Sequence, residues 1–204
     1  MRRTHRLLGL AMLLPLLAWV ATGVVFHLKP GWGPAYASPR LPQSPIDPAS
    51  LPVAPRFATS PLCLTWMRTP LGLHLLTRTE AGPQQVDPAD GRPLPAPPPE
   101  RLLPIFEAIR ASDPARFGDR MGSITLEGST YRCDSPTGVV LRLDWNDLSL
   151  SQRGPDTDRI DALYRIHYLQ WTGNPAFDRP FALVGLGLLL ALTISGLRLI
   201  FTRS

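Results

Sequence analysis

Leu7–His27 reads LLGLAMLLPLLAWVATGVVFH, about twenty residues that contain no Asp, Glu, Lys or Arg. A helix rises 1.5 Å per residue, so a stretch of this length crosses a hydrocarbon core of about 30 Å. Pro15 lies near the middle, where we expect it to kink the helix; a bilayer tolerates such a kink when neighbours satisfy the freed carbonyl. The stretch therefore predicts a first transmembrane helix over residues 7–27.

The other end of the chain carries a matching stretch. Phe181–Phe201 reads FALVGLGLLLALTISGLRLIF, and its single charge is Arg198, close to its end. An arginine in that position can extend to the lipid headgroups, so it is compatible with a span. We therefore predict a second transmembrane helix over residues 181–201 and a helical hairpin whose two termini lie on the same side of the bilayer.

The distribution of charge indicates which side that is. The chain has 21 basic and 16 acidic residues, a net charge of +5. Residues 28–180 hold all 16 acidic residues and 16 of the basic ones, so the excess belongs to the ends, in Arg2, Arg3, Arg6, Arg198 and Arg203. Basic flanks favour the cytoplasm, so residues 1–6 and 202–204 are predicted to be cytoplasmic. A basic excess confined to membrane flanks argues against a nucleic-acid partner and for the lipid bilayer.

A cleaved signal peptide is the alternative for the first span. Met1–Arg6 has the charge of an n-region, and Ala35-Tyr36-Ala37 has the form of a cleavage site. However, the apolar run exceeds a usual h-region, and the site follows it by about ten residues. A retained anchor is the favoured interpretation.

Between the spans, composition predicts a linker and a small domain. Nine prolines between residues 30 and 62 favour a stiff, extended linker over residues 28–62, which either holds the domain away from the first helix or wraps around it. Residues 63–155 read as an α+β domain with a small antiparallel sheet, and residues 156–180 as an amphipathic interfacial helix and loop. The predicted strands are Cys63–Met67, Leu71–Thr79, Gln84–Asp87, Ser123–Cys133 and Val139–Trp145, and the predicted helices are Glu100–Ala111 and Thr157–Trp171.

Cys63 and Cys133 are the only cysteines. Outside the cytoplasm they can form a disulfide, which would contribute about 3–5 kcal/mol by closing a long loop. Two free buried thiols are the alternative, because spacing alone does not bring two Cα atoms together.

Both ends of the chain resemble one known family. Arg3–Leu10 (RTHRLLGL), followed by Thr22-Gly23, is similar to the first helix of PepSY-associated transmembrane proteins. Arg165–Gly173 (RIHYLQWTG) resembles the segment before a membrane helix in that family, and Leu192–Gly196 (LTISG) resembles its T-x-S-G helix end. Val86–Gly91 is similar to the V-D-P-x-T-G strand and turn of PepSY units. The resemblance covers about 65 residues directly.

The resemblance implies a multi-pass protein of the bacterial inner membrane with a PepSY-like periplasmic domain. Some larger members resemble haem-containing reductases of ferric siderophores, in which membrane histidines are axial ligands. This chain has two predicted spans where those proteins typically have four or more. We therefore expect a non-catalytic protein whose periplasmic domain binds or modulates a partner; the alternative is a b-type haem electron-transfer subunit linked to ferric-siderophore or metal reduction.

Four histidines are candidates for chemistry. His27 and His167 are both predicted near the outer interface, where they can meet across the hairpin as haem b ligands; His5 lies about 33 Å from His27 along the helix and cannot share that haem. Interfacial anchoring is the alternative for all three. His74 alternates with apolar residues in a strand and is expected to be structural or solvent-facing.

Other groupings favour structure over catalysis. The sequence contains no G-x-S-x-G, H-E-x-x-H or P-loop motif, so no catalytic residue is assigned. Asp156, Asp158 and Asp161 fit the N-terminal turn of a helix, with Thr157 as a possible cap, better than a metal site.

Small residues in the spans predict close helix contact, with Thr22 and Ser195 able to hydrogen-bond across it. Because two helices enclose little volume, a homodimer or another membrane protein is the expected partner.

Overall fold

The computed structural model describes residues 2–53, 55, 57 and 61–201. The chain divides into a membrane unit, residues 1–35 with 156–204, and a central domain, residues 36–155. Part of the predicted linker, at positions 54, 56 and 58–60, and the predicted cytoplasmic tail 202–204 lie outside the described residues.

The regular elements follow one another in a simple order. The described α-helices are α1 (Arg2–Leu28), α2 (Trp32–Tyr36), α3 (Leu103–Ser112), α4 (Pro114–Phe117), α5 (Pro155–His167) and α6 (Pro175–Phe201). The described strands are β1 (Cys63–Thr69), β2 (Gly72–Thr79), β3 (Gly82–Val86), β4 (Ile124–Glu127), β5 (Thr130–Asp134), β6 (Val140–Asp144) and β7 (Leu150–Arg153). Short 3₁₀ helices occupy Pro48–Ser50 and Pro99–Leu102.

Two long apolar helices, α1 and α6, make up most of the membrane unit. Each has 27 residues and is long and apolar enough to cross a membrane. They pack antiparallel, with Gly9 of α1 facing Leu192 of α6 and His5 facing Gly196. Most of their large apolar side chains are exposed, as lipid contact requires. Both predicted hydrophobic helices are confirmed, and together they indicate a membrane protein.

The second of these helices begins earlier than predicted. α6 starts at Pro175, six residues before the apolar stretch. Its first turn is held by Asp178, whose carboxylate accepts hydrogen bonds from the backbone N–H and the hydroxyl of Thr172, at 3.0 and 2.8 Å. The preceding helix α5 stops at His167, short of the predicted Trp171, and Leu169 takes a left-handed backbone conformation at φ 56°.

The central domain contains two antiparallel sheets where the sequence predicted one. Sheet A has the order β1-β2-β3, and sheet B has the order β4-β5-β6-β7. The single strand predicted over 123–133 is wrong, because Gly128 at φ +66° turns the chain into the β4–β5 hairpin. The polar strand β7 (LSQR) was not predicted, since it lacks an apolar alternation.

The core of the central domain lies between α3 and sheet B. Leu102, Ile105, Phe106 and Ile109 pack with the inward residues of β5 and β6, which are Tyr131, Cys133, Leu141 and Leu143. The helix predicted over 100–111 is confirmed, although its first turn is 3₁₀, and Pro104 lies in the first turn of α3 as expected. The described part of the linker contacts the domain: Leu41 joins the core, and the Ser44 N–H donates to the Arg68 carbonyl at 2.9 Å.

The disulfide predicted between the two cysteines is not formed. Cys63 is exposed at the start of β1, and its sulfur lies near Thr65 of the same strand. Cys133 is buried in β5 of the other sheet, with its thiol directed at the Gly122 carbonyl 3.7 Å away. The two sulfurs therefore lie in different environments, one exposed and one buried. Burial is the main reason why the pKa of the Cys133 thiol is raised to about 11.

Candidate functional site: the membrane histidines

The membrane unit places two histidines in hydrogen bonds between helices. Near one end of the hairpin, His5 Nδ1 of α1 lies 2.8 Å from Ser195 Oγ of α6. The Ser195 hydroxyl donates its only hydrogen to the Leu192 carbonyl of its own helix, at 2.9 Å. Ser195 can therefore only accept from the histidine, so we assign the proton of neutral His5 to Nδ1. Gly196 makes room for the ring, since a Cβ there would lie 3.2 Å from His5 Cε1.

His167, at the end of α5, repeats this arrangement on α1. Its Nδ1 lies 2.9 Å from Thr22 Oγ1. The Thr22 hydroxyl donates within α1, with the carbonyls of Ala18 and Trp19 at 2.8 and 3.0 Å. The same reasoning assigns the Nδ1–H of His167 as the donor to Thr22, which leaves Nε2 as a hydrogen-bond acceptor. The hydrogen bond expected of Ser195 across the two spans is thus met, with His5 as its partner. Thr22 bonds instead to His167 of α5 and not to the second span.

An aromatic shell fixes the orientation of the His167 ring. Phe26, Tyr168 and Trp19 have ring centroids 4.9, 5.4 and 5.6 Å from it. Tyr164 extends the shell, 4.7 Å from Phe26 and stacked on Tyr168 at 5.9 Å. Rings at these distances contribute about 0.5–1.5 kcal/mol per pair beyond the area that they bury. The His167 imidazole is therefore held from its Nδ1 edge and from several sides.

A cavity of about 250 Å³ borders the same ring. Met12 and Trp19 of α1, Ala182 and Gly185 of α6, and the pair His167 and Tyr168 lie in its wall. Thr22 lies outside this lining. The wall is almost entirely apolar, and His167, Trp19 and Tyr168 are the lining residues whose side chains carry a polar atom.

The structure does not bring the predicted pair His27 and His167 together. Successive helical residues are about 100° apart, so Trp19, Thr22 and Phe26, at spacings of three and four, share the face that meets His167. His27 is one residue further round and is exposed. The side chain of α1 that hydrogen-bonds to His167 is therefore Thr22 and not His27.

The residues of one chain do not fit a haem held by His27 and His167. An apolar cavity of about 150 Å³ accommodates one benzene ring, so a space of about 250 Å³ suits one substituted ring and not a macrocycle of four pyrroles. His5 is engaged with Ser195, away from this cavity. The haem prediction therefore rests on the family resemblance.

His74 of β2 is structural, one of the two roles predicted for it. The Gln85 amide N–H donates to the Trp145 carbonyl at 2.9 Å, so its oxygen accepts from His74 Nδ1–H. The Thr69 hydroxyl, 2.8 Å away, donates to His74 Nε2. Burial lowers the pKa of His74. Its ring bonds to Thr69 of β1 and Gln85 of β3, and Gln85 joins sheet A to the loop after β6.

Two of the three aspartates near 156–161 match the helix-terminus interpretation, whereas Asp161 lies in the second turn of α5. Asp156 and Asp158 lie in the first turn of α5, where negative charge is favourable, and Asp156 pairs with Arg159 at 3.8 Å. Thr157 does not precede the helix as a cap; it lies within the first turn, and its hydroxyl donates to the Ala35 carbonyl at 3.2 Å. Among the described residues, no group of three or more His, Cys, Asp or Glu side chains is arranged to hold a metal ion.

The fold and the site together define a class of membrane protein: two long apolar helices that contact each other, with an α+β domain inserted between them in the sequence. Comparison with protein-family models, with curated proteins and with solved structures finds no match for the chain.

Proposed function

We propose that this chain is a bacterial inner-membrane protein of the PepSY-associated kind, whose central domain lies in the periplasm and binds or modulates a partner without catalysis of its own. The observation that carries the proposal is the insertion of a domain with its own core between the two halves of one helical hairpin. A domain tethered at both ends to membrane helices has a high effective concentration toward a membrane-bound partner.

The charge distribution supports the orientation. Arg2, Arg3 and Arg6 precede or begin the apolar part of α1, and Arg198 lies in the last turn of α6. Basic residues at both outer ends of the hairpin favour cytoplasmic termini, which puts the loop between the helices on the other side.

The edge of sheet A is the partner surface that we favour. β1 is an edge strand, and its first three residues, Cys63–Thr65, are exposed. Leu64 and the preceding Leu62 are 40% and 71% exposed. An edge strand with exposed apolar side chains is suited to pairing with an extended segment of another protein.

In vivo crosslinking of the full chain in its membrane tests this proposal. A partner that is captured by the wild type, is lost in Leu64→Lys and is kept in Leu126→Lys supports it. Leu126 is a matched control, because it is 39% exposed on β4, an edge strand of sheet B. Equal capture by all three proteins, or no defined partner, refutes binding at β1.

Cys63 reports the orientation independently. A membrane-impermeant maleimide should label Cys63 in intact spheroplasts before lysis, because Cys63 is exposed while Cys133 is buried. In a Cys63→Ser background, Ser204→Cys should react only after the membrane is permeabilised. The reverse pattern would place the domain in the cytoplasm.

A haem-binding electron-transfer role is the second candidate. The observation that favours it is His167 in the wall of an apolar cavity, with Nδ1 bonded to Thr22 and Nε2 left as the possible ligand atom. His27 does not face it from the same chain. An absorption spectrum of detergent-purified protein from haem-sufficient cells decides the matter. A Soret band that is lost in His167→Ala supports haem, and a featureless visible spectrum that added haemin does not change removes it.

A further inference from the structure

The cavity beside His167 has the properties of a binding site for a small aromatic alcohol that enters from the lipid. Its wall is almost entirely apolar and includes the His167 imidazole, and Trp19 and Tyr168 supply aromatic surface. Leu186 of α6, which also borders it, is 56% exposed on the lipid-facing surface. Apolar cavities with a few placed polar groups are typical of ligand sites.

The hydrogen-bond network determines which headgroup the site accepts. Because Thr22 accepts from His167 Nδ1–H, the free nitrogen Nε2 is an acceptor and requires a donor from the ligand. A hydroxyl satisfies this requirement, whereas a carbonyl or an ether does not. The aromatic shell holds the ring in place, so a ligand does not have to order it.

The volume restricts the ligand further. The cavity has a volume of about 250 Å³, whereas a cavity of roughly 150 Å³ holds one benzene ring. The difference leaves room for a few substituents on such a ring. A macrocycle is too large for this volume. An acyl chain alone leaves Nε2 without a donor.

We propose that the cavity binds the hydroquinone ring of a membrane quinol, with one ring hydroxyl donating to His167 Nε2 and the ring lying among Trp19, Tyr168 and Ala182. The oxidised quinone offers only acceptors and binds more weakly. This inference goes beyond the partner-binding role of the central domain and does not depend on it.

Calorimetric titration of the full chain in mild detergent tests the proposal, with 2,3-dimethoxy-5-methylhydroquinone as the probe. Its dimethyl ether keeps the ring and removes both donors. We expect the ether and the oxidised quinone to bind at least about tenfold more weakly, a difference of about 1.4 kcal/mol. Equal affinity for the hydroquinone and its ether overturns the hydrogen bond to Nε2.

Variants locate the site. Ala182→Phe fills the cavity without removing a polar group, and it should abolish binding. Leu183→Phe is the matched control, since Leu183 is the next residue of α6, is 70% exposed and lies outside the lining. Unchanged binding in Ala182→Phe, loss of binding in both variants while their helix content is intact, or no binding by the wild type overturns the proposal.

The hydrogen-bonding histidine can be tested without removing it. Thr22→Val deletes the acceptor that fixes the Nδ1 proton, whereas Thr22→Ser keeps it. We expect the preference for hydroquinone over its ether to fall in Thr22→Val and to persist in Thr22→Ser. A preference that is the same in both variants contradicts the assigned tautomer.

Discussion

Replacement of Gln85 by methionine should destabilise the central domain strongly. Gln85 is 1% exposed, and its amide joins two buried groups, accepting from His74 Nδ1–H and donating to the Trp145 carbonyl at 2.9 Å. Methionine fills a similar volume but bonds to neither. Leaving a buried polar group unpaired costs about 1–3 kcal/mol, so two such groups predict a loss of about 2–6 kcal/mol of unfolding free energy.

Native-state hydrogen exchange of the full chain in detergent is the appropriate assay, because it reports the opening free energy of β2 and β3 separately from the membrane helices. Gln84→Met is the control: it makes the same chemical change one residue earlier in β3, at an exposed side chain. We expect the control to differ from the wild type by less than about 0.5 kcal/mol. If Gln85→Met lowers the opening free energy no more than Gln84→Met does, the hydrogen bonds of Gln85 do not hold sheet A to the loop that contains Trp145.

Three further outcomes follow from the described contacts. Burial lowers the pKa of His74, so below pH 6.5, the usual pKa of histidine, the unfolded chain takes up a proton that the folded domain does not. The stability of the domain should therefore be constant above pH 6.5 and fall as the pH drops toward the folded pKa. His74→Met should flatten this dependence, as measured by hydrogen exchange at several pH values. Cys133 should react with a maleimide only after denaturation, since it is buried with its pKa raised to about 11, whereas Cys63 should react in the folded protein; equal rates would contradict the fold. A double-mutant cycle of Thr22→Val and His167→Phe, measured by thermal unfolding in detergent, should give a coupling of about 0.6–1.7 kcal/mol, and additivity of the two changes would contradict the hydrogen bond.

Much of the candidate site was visible in the sequence as separate residues. His167, Thr22 and Ser195 were each identified from their positions, because polar groups within or next to an apolar stretch are few. Their partnership was not visible, because it depends on the rotation of each helix. His27 was the obvious partner by depth, yet Thr22 is on the face that α1 turns toward His167.

The central domain shows the same division between local pattern and tertiary contact. Gly128 breaks a run that reads as one strand, and the polar β7 joins sheet B only through its pairing with β6. The sequence placed His74 in a strand but left its role open. Gln85, which bonds to His74, lies 11 residues further along the chain, and Trp145, which bonds to Gln85, lies another 60 residues on. A local sequence pattern does not extend over such separations.

The sequence by itself determined the two hydrophobic helices, the basic ends and the α+β character of the segment between them. These features depend on local hydrophobicity, charge and chain propensity, which neighbouring residues specify. Only the tertiary structure decided the pairing of His5 with Ser195 and of His167 with Thr22, the cavity beside His167 and the separation of the two cysteines. Each of these depends on which faces of distant elements meet, and that choice is made by packing over the whole fold.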